Sequence, residues 1–104
     1  MPFTWQININ KNANGTGYNY SPESLTNVAI GDVIIWTNND SIPHWPALKN
    51  GSAPLNKTYF MANQIAPNSP SANFVPGVTG TFTYVDSLDY DPDSAPPTGT
   101  IVVS

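Results

Sequence analysis

The chain contains no cysteine and no arginine, and His44 is its only histidine. Without cysteine there is no disulfide, zinc–thiolate site, iron–sulfur cluster or thiol nucleophile, and the redox compartment cannot be read from thiol usage. Three lysines cannot neutralise a run of phosphates against seven acidic residues, so nucleic acid is excluded as an expected partner. An anionic membrane surface is excluded for the same reason. No apolar run approaches the roughly 20 residues that cross a bilayer. The N-terminal residues alternate polar and apolar, so no signal peptide is expected in this chain.

What is present is polar and heavily punctuated. Of the 104 residues, 39% are hydrophobic and 10% charged, with a net charge of −4. One domain spanning 1–104 is expected, of a size that buries roughly 60–70% of its unfolded surface. Eleven prolines and seven glycines interrupt the chain too often for long helices. Val, Ile, Thr, Tyr, Phe and Trp fall in short runs between these breaks, the pattern of an all-β sandwich or small barrel.

Phe3, Trp5, Ile7 and Ile9 alternate with polar residues and predict a first strand with one apolar face. Residues 12–17 form a turn cluster, and 18–20 a short strand closed by Ser21 and Pro22. Residues 25–30 lead into a Gly31-Asp32 turn. Residues 33–38 read as a fully buried central strand. Pro43 and Pro46 keep the stretch around His44 extended. Between 47 and 77 the pattern predicts mostly loop, with a strand over 58–62. Residues 80–85 and 99–103 predict two further strands, joined by an acidic, proline-rich loop.

Two of these segments resemble the cupredoxins, the plastocyanin/azurin superfamily. The first, residues 31–44, reads G-D-V-I-I-W-T-N-N-D-S-I-P-H. It has that family's Gly-Asp turn, buried strand with an aromatic, Asn-rich turn and Pro-His. The second, residues 80–103, matches a G-x-aromatic-x-aromatic-x-Cys strand, a ligand loop and a closing strand after glycine. The resemblance implies a Greek-key β-sandwich or barrel of about seven to eight strands. It implies that His44 is the first copper-ligand position. The cysteine position is then held by Asp86, the second histidine position by Asp89 and the methionine position by Pro97. Family membership also implies an extracellular or periplasmic location.

Blue-copper chemistry requires a soft thiolate in a trigonal His₂Cys site, and Asp86 supplies none. The expected function is therefore a cupredoxin-like binding or structural module with a degenerate copper site, not an electron carrier. In the alternative, His44, Asp86 and Asp89 hold a divalent cation. One imidazole and two carboxylates suit type 2 Cu²⁺, Zn²⁺ or Mn²⁺. The plainer reading has His44 hydrogen-bonded within a capped loop and the acidic residues 86–93 in a solvated loop. The D-Y-D-P-D run lacks the glycine and distal glutamate of a calcium loop. No nucleophile–base pair is recognisable, so no enzyme activity is expected. Trp5 and Trp36 are expected in the core and Trp45 at the surface. Asn-x-Ser/Thr sequons begin at Asn14, Asn39, Asn50 and Asn56, among others. The expected partner is a protein or small ligand, or a second copy paired through an edge strand.

Overall fold

The computed structural model describes residues 3–13, 17–50, 53–88 and 97–104. Among them are nine strands and no helix. They are β1 (Thr4–Lys11), β2 (Tyr18–Ser21), β3 (Ser24–Val28), β4 (Val33–Asn38), β5 (Pro46–Asn50), β6 (Ala53–Tyr59), β7 (Ser69–Pro70), β8 (Gly80–Asp86) and β9 (Gly99–Val103). One sheet has the order β2-β1-β4-β7 and the other β3-β9-β8-β5-β6. Both are mixed. β1 runs parallel to β4 and β3 parallel to β9, while the remaining pairs are antiparallel.

The two sheets share one core. Ile7 and Ile9 of β1 and Ile34 and Trp36 of β4 face Leu25, Val28, Tyr84, Ile101 and Val103 from the opposite sheet. Each fully buried isoleucine contributes about 1.5–3 kcal/mol relative to exposure. Aromatic edges meet across this core. Trp36 and Tyr84 pack edge-to-face with centroids 5.6 Å apart, and Tyr20 meets Tyr84 at 4.9 Å.

Several sequence expectations are refined. β4 is not buried on both faces. Ile34, Trp36 and Asn38 are buried, but the alternate residues Val33, Ile35 and Thr37 are only partly so, because one face alone meets the other sheet. Trp36 is core as expected, whereas Trp5 is half-buried and Phe3 is 57% exposed. Both lie at the open end of β1. There the Asp32 carboxylate accepts from the Trp5 indole N–H at 2.9 Å and from the Phe3 and Ala29 amides at 3.0 Å.

The 47–77 region departs most from the loop expected there. It opens with the β5–β6 hairpin, and β5 pairs with β8 through Ala47–Val85 and Leu48–Tyr84. The strand near 58–62 ends at Tyr59 and begins earlier, at Ala53. Pro46 stands at the first position of β5, where a proline leaves the rest of the ladder intact.

Candidate functional site

The site lies where the chain leaves one sheet for the other. β4 ends at Asn38, and β5 begins at Pro46 in the opposite sheet. Asn38, fully buried, holds the crossing. Its Nδ2 donates to the carbonyls of Ile42, Ile65 and Ala66 at 2.8, 3.2 and 3.3 Å. Its Oδ1 accepts the Asp40 amide at 2.9 Å, the short-range turn that asparagine favours. His44 is then pinned by a two-way backbone bridge to Ile65, with N···O distances of 3.2 and 2.7 Å.

Asp86 is the last residue of β8 and pairs with Pro46, two residues beyond His44. Phe82, Tyr84 and Asp86 alternate onto the inner face of β8, and the last two are fully buried. The Asp86 carboxylate therefore meets the His44 ring inside the protein. Oδ2 lies 2.5 Å from His44 Nδ1. Oδ1 accepts the backbone N–H of Trp45 at 2.8 Å and of Leu88 at 3.0 Å.

A third group completes the arrangement. Asp40 Oδ2 lies 3.0 Å from His44 Nε2, and Asp40 Oδ1 accepts the Ser41 amide at 2.7 Å. Both ring nitrogens thus lie within hydrogen-bond distance of aspartate oxygens. Burial alone would lower the His44 pKa, but the hydrogen bonds to Asp86 and Asp40 outweigh it and hold the pKa above its ordinary value. Burial would raise the Asp40 pKa. The hydrogen bonds from His44 and the Ser41 amide outweigh that and hold it below its ordinary value. The site is a buried cluster in which one imidazole ring stands between two aspartate side chains.

Aromatic rings seal it. The Tyr18 ring lies 4.6 Å from that of His44, and Tyr18 meets Tyr20 edge-to-face at 5.8 Å. Burial first, then the nearby Tyr18 and Asp86, hold the Tyr20 hydroxyl well above its ordinary pKa, so it stays neutral. Trp45, expected at the surface, is half-buried. Its indole N–H donates to the Met61 carbonyl at 3.1 Å, and its own carbonyl accepts from the Ser87 amide and hydroxyl.

The structure therefore brings His44 and Asp86 together. Asp89 lies outside the described residues, as do the other two carboxylates of its loop. Asp40 was not among the sequence candidates. Its four-residue separation from His44 carries no distance information outside a helix. The signal was the N-x-D turn after β4, in which the Asn38 side chain accepts the Asp40 amide. Among the described residues, no group of three or more acidic or histidine side chains is arranged to hold a metal ion.

Solved structures share this architecture. A purple cupredoxin from Nitrosopumilus maritimus superimposes with a TM-score of 0.70 at 22% identity, covering 96% of this chain and 99% of that one. Amicyanin from Paracoccus versutus gives 0.65 at 18% identity, covering 97% and 81%. A variant amicyanin solved in the Cu(I) state gives 0.65 at 20%, covering 97% and 82%. No family model and no curated protein matches the chain. The chain has the cupredoxin fold.

Proposed function

We propose that this cupredoxin-fold chain is a metal-independent binding or structural module, in which a proton held between carboxylates takes the place of copper. The observation that carries this reading is the double engagement of His44, with Asp86 at Nδ1 and Asp40 at Nε2. A ligating histidine must be neutral and present a lone pair to the metal. Here both ring nitrogens are engaged by aspartate oxygens.

The donor set does not fit blue copper. There is no thiolate anywhere in the chain, and the thiolate is what stabilises the trigonal site and its rapid redox cycling. Pro97 offers no side-chain donor at the methionine position. Zn²⁺ or type 2 Cu²⁺ between His44 and Asp86 would also need more room. Metal–ligand bonds of about 2.0–2.1 Å at tetrahedral angles hold the two donor atoms roughly 3.3 Å apart, against the 2.5 Å between them here. A cation would have to expel the proton and separate two fully buried side chains.

Catalysis is disfavoured on the same geometry. A general base must come within hydrogen-bond reach of a substrate proton, and His44 has no exposed surface. The cluster acts as an internal tie between the two sheets.

The deciding experiment is titration of chelator-treated protein with Cu²⁺ and Zn²⁺ at pH 6–7, followed by calorimetry and visible absorption. We expect no stoichiometric uptake. One equivalent bound tightly, and lost on His44→Ala, would replace this reading with that of a cation-binding protein using His44 and Asp86.

A further inference from the structure

An apolar cavity lies away from the His44 cluster, further back between the sheets. Its volume is about 290 Å³. Phe82 on its wall precedes Asp86 by four positions on β8, about 13 Å along an extended strand. Leu48 of β5 and Phe60, which follows β6, line the same side. The opposite wall is Phe74, bridged to Ile34 of β4, and the chain running on to Val78.

We infer that this cavity is a binding site for an uncharged, apolar molecule about the size of two fused rings. Four observations support that chemistry. No lining residue carries an ionisable or hydrogen-bonding side chain. A charged ligand would therefore lose its hydration with nothing to replace it. Second, a cavity of about 150 Å³ lined by Leu, Ile and Phe holds one benzene ring, and this one is about twice as large.

Third, the walls are built for rings. Phe60 and Phe74 stand edge-to-face, with centroids 5.0 Å apart and planes at 80°. A flat aromatic guest continues that packing, at a gain of about 0.5–1.5 kcal/mol per pair beyond area burial. Fourth, the wall is left open at Gly77. A Cβ placed there meets nothing within 4 Å, and the residue has no left-handed backbone that would require glycine. Beside it Val78 is 63% exposed at the mouth, which gives a small molecule a way in.

The site shares no residue with the Asp40–His44–Asp86 cluster, so it stands or falls apart from the metal question. The test is titration of the full chain with naphthalene, by fluorescence and by amide NMR. We expect one saturable site, with shifts confined to the amides of Leu48, Phe60, Phe74, Gly77, Val78 and Phe82. Naphthalene-1-sulfonate, the same ring with a charge, should bind at least about tenfold more weakly. Gly77→Phe places a ring in the open space and should abolish binding with the circular dichroism unchanged. Phe82→Trp, filling the cavity from the other wall, should weaken it independently. Four results would each overturn the proposal. These are absence of saturation up to the solubility of naphthalene, equal binding of the sulfonate, and wild-type binding by both variants. The fourth is concentration-dependent shifts of the same amides without naphthalene, which would make a second copy of the chain the occupant.

Discussion

His44 and Asp86, 42 residues apart in the chain, place Nδ1 and Oδ2 2.5 Å from each other with no exposed surface on either residue. The contact joins the loop leaving one sheet to the last residue of a strand in the other. Its consequences follow from burial. Ionised groups in the interior are tolerated only when paired and fully hydrogen-bonded, and Asp86 is satisfied by His44 and two backbone amides.

Removing one partner should therefore cost far more than a surface ion pair. Asp86→Asn keeps an oxygen for the amides of Trp45 and Leu88 but leaves a buried imidazolium short of a counter-charge. Loss of about 3–5 kcal/mol in urea unfolding is expected. Asp40→Asn, acting at the longer and less enclosed contact, should cost less. Equal and small losses from both would show that the cluster does not carry the tie between the sheets.

Stability should depend on pH in a defined window. The His44 pKa is raised above 6.5 in the folded state. The folded protein then binds the proton more tightly than the unfolded chain, and stability falls as pH rises. That contribution is complete below 6.5 and lost as pH rises through the folded pKa. The Asp40 pKa is lowered below 3.8, so its contribution is complete above 3.8 and lost as pH falls through the folded value. Melting temperature should peak between these limits, at about pH 4–6.5, and decline on the alkaline side. In His44→Gln the alkaline decline should disappear, which a series of thermal melts from pH 4 to 9 would measure.

Gly99 should not tolerate any side chain. A Cβ there would lie 2.1 Å from Tyr84 Cζ and 2.2 Å from its hydroxyl. Tyr84 cannot swing away, being fully buried against Tyr20, Trp36 and Phe60. Overpacking of this kind costs about 1–3 kcal/mol. Gly99→Ala should reach at least the upper part of that range in denaturant unfolding, whereas Gly77→Ala should be close to neutral.

Asp32 should set the order of the first strand's open end. Its carboxylate accepts from the Phe3 amide, the Trp5 indole and the Ala29 amide, and these hold its pKa below the ordinary value. Asp32→Ala should shift Trp5 emission to the red and speed hydrogen exchange at Phe3 and Ala29. The Trp36 core should be unaffected.

Much of the fold was legible because it depends on short-range pattern. The alternation of Ile7 with Ile9 marked the inner face of β1, whereas the unbroken apolar run over 33–36 announced β4 but hid that only its Ile34 and Trp36 face the core. Residues 80–85 and 99–103 announced β8 and β9, and the glycine-aspartate turn before Val33 placed the start of β4. The β5–β6 hairpin was hidden because its residues carry no period-two signal, and pairing of Ala47 and Leu48 with β8 overrides their weak local preference.

The sequence by itself determined the chemistry available to this protein. One histidine and no thiolate follow from composition alone, and the resemblance to the cupredoxins set Asp86 at the cysteine position. Only the tertiary structure decided how those groups are used. The distance between His44 and Asp86 depends on two sheets meeting, and the role of Asp40 depends on a turn that Asn38 locks through the nearby Ile42 carbonyl and two carbonyls from distant chain, those of Ile65 and Ala66. Side-chain type is local information. Proximity and burial, which bring Asp40, His44 and Asp86 into one closed hydrogen-bonded cluster, are properties of the packed sandwich.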